Sequence, residues 1–89
     1  MKAVITVVGK DTVGILAAVS NECAKHNINV LEVTQSILQD LFAMIMLVDI
    51  SGANIPFSEF QDILDGIGKN KALSIHCMHE DIFNAMHKI

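Results

Sequence analysis

The sequence predicts an α+β sandwich in which one four-stranded antiparallel sheet carries two helices on one face. Three observations support this fold class. Apolar, β-branched runs and segments of helical periodicity follow one another in the order βαββαβ. The second and third strands lie close enough in sequence for a hairpin, whereas each helix lies between two strands as a crossover connection. The 89 residues are the length of one domain, so residues 1–89 are expected to form a single unit.

The first strand and the first helix meet at a turn that contains glycine. Lys2–Gly9 is rich in Val and Ile and ends in glycine, which is typical of a strand. A helix is predicted from Gly14 to about His26, because apolar residues recur there at helical spacing. The residues of its apolar face are Ile15, Leu16, Val19 and Cys23.

The second and third strands are predicted over Asn27–Leu38 and Leu41–Ile50, and Gln39 and Asp40 form the turn between them. Leu41–Val48 is apolar without interruption. Such a run is typical of a central strand that is buried on both faces.

A second helix begins near Pro56, a residue type that suits the first turn of a helix. Ser58–Gln61 fits a capping box. Gly66 and Gly68 are expected to weaken the end of this helix. The residues of its apolar face are Phe57, Phe60, Leu64 and Ile67.

The rest of the chain predicts a fourth strand over Ala72–Met78 and a short C-terminal helix over residues 79–89. The apolar stripe of this helix contains Ile82, Phe83, Met86 and Ile89. The stripe covers either the free sheet face of the same chain or a neighbouring chain, and both alternatives remain open.

Right-handed crossovers in this order give a ferredoxin-like sheet with strand order 4-1-3-2 and both main helices on one face. The first and third strands are then central, in agreement with their apolar runs. The second and fourth strands form the edges, and an exposed edge favours pairing with another subunit. Because 52% of the residues are hydrophobic in so small a domain, we expect a homodimer.

Charge and composition argue against several classes of partner. The net charge is −4, and the six basic residues are all lysines that are scattered along the chain. Without arginine or a basic cluster, the chain is not expected to bind nucleic acid. No apolar run is long enough for a membrane span and no segment resembles a signal peptide, so the expected location is the cytoplasm.

The cysteines and histidines are not expected to carry chemistry. Cys23 and Cys77 lack a C-x-x-C spacing and are expected to be free, buried thiols. His76–His79 contains four potential metal ligands, but alternate residues of a strand point to opposite faces and cannot converge on one ion. No metal, cofactor or catalytic residue is therefore assigned.

Gly9–Leu16 is the segment most informative about function. A helix that begins in a tight turn leaves backbone N–H groups unpaired at the positive end of its dipole, where a carboxylate fits. Gly14 allows close approach of a ligand and tolerates a positive φ. Asp11 can either cap the helix or face a ligand's ammonium group. An ordinary turn, with Asp11 or Thr12 as the cap, explains the same residues, and this alternative stays open.

The segments Gly9–Ser20 and Asn27–Val30 resemble corresponding parts of ACT domains, which are small ferredoxin-like modules that bind amino acids. In ACT domains a strand, a turn, a glycine and a helix follow one another in the same way. The resemblance runs from Lys2 to about Met78. With no further domain in the sequence, the chain is most similar to stand-alone ACT-domain proteins, whose larger relatives include regulators of the glycine cleavage system.

The resemblance implies a ligand site between two subunits. One chain contributes the first turn of its first helix, with Asp11, Gly14 and the backbone N–H of Ile15, and the other chain contributes Asn29 from its second strand. An α-carboxylate would lie against the amides, and the ammonium group would meet Asp11 or Asn29. Asn29 can equally satisfy local backbone groups. Thr12-Val13 departs from the Arg-Pro that is common in the family before this glycine.

Three classes of function follow from these observations. The resemblance favours a homodimeric regulatory module that binds a small amino acid and acts on a regulated enzyme or regulator protein. An acylphosphatase-like enzyme would need an arginine in its phosphate-binding loop, which the sequence lacks, so the chain is not expected to be an enzyme. A ligand-free module for protein–protein assembly remains the alternative.

Overall fold

The computed structural model describes residues 1–10 and 14–86 of the chain. Its elements follow the predicted order βαββαβ with one further helix. They are β1 (Lys2–Gly9), α1 (Ile15–Lys25), β2 (Asn29–Leu38), β3 (Leu41–Asp49), α2 (Phe57–Lys71), β4 (Ser74–His79) and α3 (Glu80–Met86).

The four strands form one antiparallel sheet in the order β2-β3-β1-β4. This is the predicted order 4-1-3-2 read from the other edge, so the ferredoxin-like fold is confirmed. The central pair is in continuous register from Lys2 opposite Asp49 to Gly9 opposite Phe42. As predicted, β2 and β4 are the edge strands.

The core lies between one face of the sheet and the helices α1 and α2. Alternate residues of each central strand point to this face, because side chains alternate along a strand. Burying an aliphatic or aromatic side chain of this kind stabilises the fold by about 1.5–3 kcal/mol. The most completely buried side chains are Ile5, Val7, Met44, Met46, Val48, Ile15, Val19, Cys23, Phe60 and Leu64.

The opposite face of the sheet is only partly covered, which corrects the prediction that Leu41–Val48 is buried on both faces. The short helix α3 lies against β1 and β4. On the same face, Val4 of β1 is buried, whereas Val8 is 40% exposed and Ile45 of β3 is 41% exposed. Residues 87–89, the last part of the predicted C-terminal helix, lie outside the described residues.

Two details of the helices differ from the sequence prediction. Leu16 is 39% exposed and does not belong to the buried face of α1, which consists of Ile15, Val19 and Cys23. No capping box forms at Ser58–Gln61, because Pro56 is the N-cap residue of α2 and makes no side-chain cap bond. Ser58 instead lies within the helix.

The helix α2 continues through both of its glycines to Lys71. Gly68 is buried against the backbone before β4, where a Cβ atom would come within 2.7 Å of the Leu73 carbonyl oxygen. The helix ends at Ala72, which has a left-handed φ of 56°. Close helix–strand packing therefore explains why glycine at position 68 supports the helix in this fold.

Both cysteines are free and buried, as predicted. Burial, aided by the charge of Glu22, raises the pKa of the Cys23 thiol from 9.0 to about 11. Burial, aided by its neighbour Cys23, raises the pKa of the Cys77 thiol from 9.0 to about 12. Within the described part of the chain, no helix is long and apolar enough to cross a membrane.

We expect Gly66→Ala to raise the free energy of unfolding by about 0.5–1 kcal/mol, because alanine restricts the unfolded chain and favours a helix interior. A Cβ atom at Gly66 would meet nothing within 4 Å. The matched change Gly68→Ala should instead lower the free energy of unfolding by about 1–3 kcal/mol, since its Cβ would clash with Leu73. Urea denaturation measures both. Equal effects of the two changes would contradict the observed packing of α2 on β4.

We expect both thiols of the folded protein to react slowly with a thiol reagent at pH 8 and fully in denaturant, because the thiolate is the reactive form. The raised pKa values also set the sign of a pH effect. Below pH 9 the thiols are neutral in both states, whereas above it the unfolded thiols ionise first and the free energy of unfolding falls. The single variants Cys23→Ala and Cys77→Ala should each show a smaller fall in the free energy of unfolding above pH 9. Rapid labelling of the native protein at pH 8 would contradict the burial of both side chains.

Candidate ligand site at the start of the first helix

Gly14 starts the first helix in a conformation that favours glycine. It is the N-cap residue of α1, with φ of 75° and ψ of 3°, in the left-handed region. Its carbonyl oxygen accepts the first helical hydrogen bond from the Ala18 N–H, at 3.0 Å. Glycine has no side chain with which to cap the first-turn amides, and the first turn contains no acidic residue. Gly14 itself therefore leaves those amides without a side-chain cap, an arrangement that suits an anion.

Gly14 has open space beside it as far as residues 1–10 and 15–86 are concerned. A Cβ atom built there would meet no atom of these residues within 4 Å, so they leave a ligand atom room to approach the backbone. The side chain of Ile15 is buried in the core and anchors the turn. The buried side chain of Ile15 is thus not available to a ligand, and the predicted contact through its backbone N–H stays a prediction.

Asp11, Thr12 and Val13 lie outside the described residues. The predictions that Asp11 caps α1 or contacts a ligand's ammonium group therefore remain predictions.

Asn29 is exposed and lies at the far end of the sheet from Gly14. It is the first residue of β2 and pairs with Asp49, which also pairs with Lys2 at the start of β1. Gly14 follows the opposite end of β1, and a strand of this length spans about 23 Å at about 3.3 Å per residue. Within one chain, the structure thus brings Gly14 and Ile15 together but does not bring Asn29 near them.

The two edges of the sheet differ in their availability for pairing. The edge β4 has six residues, and its Cys77 carbonyl oxygen accepts a 2.7 Å hydrogen bond from the Gln61 side-chain amide of α2. The edge β2 has ten residues and is exposed along Leu31–Ile37, apolar side chains included. Residues Leu31 and Val33 are each about two-fifths exposed, and Ile37 is 72% exposed. A strand from another chain is therefore accommodated better at β2 than at β4.

The sequence did not indicate that Gln61 protects an edge, because this contact joins residues 16 positions apart through the tertiary fold. The strand β2 also contains an irregularity between Val30 and Glu32, which leaves Leu31 as an extra residue in the pairing with β3. No sequence signal marked this bulge.

The described residues contain no cluster of three or more His, Cys, Asp or Glu side chains that could hold a metal ion. Within β4, His76 is exposed and Cys77 is buried, so the two side chains point to opposite faces as expected. His79 stacks on Phe57 with ring centroids 4.4 Å apart.

Comparison with known proteins identifies the family of the chain. The family model described as ACT domain matches residues 2–77. A UPF0237 protein of Listeria innocua is 48% identical over 89 residues, which cover all of both chains. An ACT domain protein from Streptococcus pneumoniae has a solved structure with a TM-score of 0.79 and 34% identity, covering 98% of each chain.

A more distant structure, a putative glycine cleavage system transcriptional repressor, has a TM-score of 0.69 at 22% identity. The match covers 85% of this chain and 43% of that protein, and it shows a shared fold. The solved structure from Streptococcus pneumoniae agrees with the fold described above, and the family match extends over most of the chain. The chain belongs to the ACT domain family and, within it, to the UPF0237 proteins.

Proposed function

We propose that this chain is a regulatory module that acts as a homodimer and binds a small amino acid between its two subunits. The observation that carries the proposal is the exposed, partly apolar edge β2, since the other edge is shorter and its Cys77 carbonyl oxygen is already bonded to Gln61 of α2. Pairing of β2 with β2 of a second copy would join the two sheets and cover Val33 and Ile37.

This pairing also accounts for the separation of the predicted site residues. A two-fold axis reverses the partner's strand, so the start of the partner's β2 comes to the end of the sheet where Gly14 lies. A second copy would therefore supply its Asn29 to the turn that contains Gly14. The site is incomplete in a single subunit, and its occupation depends on the dimer.

The chemistry of the turn suits the carboxylate of an amino acid. The first-turn amides of α1 donate hydrogen bonds, and the helix dipole adds a partial positive charge. The ammonium group would pair with the Asp11 carboxylate or the partner subunit's Asn29. For a ligand with so few heavy atoms, we expect a Kd between about millimolar and micromolar, or about −4 to −8 kcal/mol.

Binding at an interface gives a physical route to regulation. A ligand that contacts both subunits stabilises one relative orientation of the two, and an enzyme or regulator protein recognises that orientation. The response cannot exceed the difference between the ligand's affinities for the two dimer states. The free, buried thiols agree with action in the cytoplasm.

A ligand-free assembly module is the second candidate function. It is favoured by the apolar residues of α3, where Ile82 and Met86 are exposed on a helix that covers only part of the sheet. In that case the same exposed surfaces bind another protein and the Gly14 turn has no ligand.

We expect one or two amino acids from a panel of the common ones to raise the thermal unfolding midpoint selectively. A ligand at about 100 times its Kd adds roughly 2.7 kcal/mol, and each kcal/mol raises the midpoint by about 4–8 °C in a domain of this size. The measurement is differential scanning fluorimetry or calorimetry. A flat panel with a folded dimer would favour the assembly module instead.

The double variant Asp11→Ala with Asn29→Ala should abolish the ligand-induced rise while the dimer stays folded. Gly14→Ala adds a side chain at a positive φ and should weaken binding as well. Unchanged affinity in the double variant would refute this site.

We expect Ile37→Glu to weaken or abolish the dimer, because it places a charge on the apolar part of the β2 edge. Ser74→Glu is the matched control, since Ser74 is an exposed residue of the opposite edge strand β4. Light scattering after size-exclusion chromatography measures the mass of both variants. A dimer that resists Ile37→Glu and dissociates with Ser74→Glu would place the interface at the other edge.

A further inference from the structure

An apolar pocket lies at the end of the core opposite to Gly14. Its floor is formed by the buried residues Ile28 and Phe60, at the start of β2 and within α2. Ala53 and Ile55, from the loop between β3 and α2, form one wall. His79, which stacks on Phe57, lies at its rim. The volume of the pocket is about 190 Å³.

Hydrogen bonds hold the loop that forms the wall in place. The Asn27 side-chain amide donates to the Gly52 carbonyl oxygen at 2.9 Å. The Asn54 N–H donates to the His26 carbonyl oxygen at 3.1 Å, and the Asn54 side chain contacts the His26 ring at 3.2 Å. The loop is thus tied on both sides of Ala53 to the corner between α1 and β2. These bonds oppose collapse of the loop onto the core, which would otherwise fill the space.

The lining defines the chemistry of an occupant. Its side chains are aliphatic, aromatic or thioether, with His79 as the one titratable side chain among the described lining residues. An apolar cavity of about 150 Å³ lined by such residues stays dry and binds benzene-sized molecules. The one formal charge on the described lining residues is the Met1 ammonium group, which already donates to the Ser51 hydroxyl at 2.6 Å and lies 3.8 Å from the Asp49 carboxylate. No carboxylate side chain lines the pocket to pair with the ammonium group of a free amino acid. The ring nitrogens of His79 offer one hydrogen bond at the rim.

We propose that this pocket is a second ligand site, which takes a small uncharged molecule with an aromatic or branched aliphatic body and one hydrogen-bonding group. The site belongs to a single subunit and is independent of the interface between two copies. Its ligand differs in class from the zwitterion proposed for the Gly14 turn, so the two sites can be occupied together.

Phenol is the probe of this pocket. Benzene is the comparison probe, because it has the same ring without a hydrogen-bonding group. Titration of the ¹⁵N-labelled protein should give saturable shifts of the amides of Ile28, Ala53, Phe57 and His79. Ala53→Leu fills the pocket and should weaken phenol binding at least tenfold, and the milder Ala53→Val should weaken it several-fold. His79→Phe keeps an aromatic ring against Phe57 and should remove any preference for phenol over benzene.

Ala85→Leu is the matched control, because Ala85 is exposed on α3 and the substitution introduces the same leucine side chain away from the pocket. It should bind phenol as the unchanged protein does. Native-like spectra of the Ala53 variants would show that they fold. If Ala53→Leu does not fold, phenol binding by Ala53→Val decides the test. Shifts that never saturate, that scatter over the surface, or that survive in the folded Ala53 variants would overturn the proposal.

Discussion

The pairing of the two central strands is the constraint on which the rest of this structure depends. β1 and β3 are in register over their whole length, and Ile5 lies opposite Met46 with both side chains completely buried. Any shift by one residue would turn these side chains to the other face of the sheet. The helices can cover only the face that the register makes apolar, so the register also fixes the position of the α1 turn and of both edges.

The order of the elements and the central strands could be predicted from the sequence, because each apolar run there contributes to one face of one sheet. The sequence was insufficient where tertiary contacts override local preference. Gly68 reads as a helix breaker, yet it lies inside α2 since only glycine fits against Leu73. The spacing of Leu16 predicts a core residue, yet its side chain is 39% exposed on α1. The predicted burial of β3 on both faces failed because the described part of α3 packs mainly against β1 and β4 and leaves Ile45 of β3 41% exposed.

The candidate site likewise combines features that the sequence predicts with features that depend on tertiary structure. The left-handed conformation of Gly14 and the inward side chain of Ile15 agree with a turn that local sequence specifies. The distance between Gly14 and Asn29 could not be predicted from motifs, because it depends on the direction of β2 in the sheet. The pocket beside Ala53 is also a product of tertiary structure, since its wall is held by side chains from a different part of the chain.

The hydrogen bond from Gln61 to Cys77 has a consequence for how far assembly can proceed. If both edges were open, the β4 edge of one molecule could pair with the β2 edge of the next, and this head-to-tail contact would repeat without limit. The bond from Gln61 occupies the Cys77 carbonyl oxygen and makes the β4 edge less available than the β2 edge for such a contact. One glutamine side chain thus opposes head-to-tail growth at one edge of a sheet whose other edge is exposed.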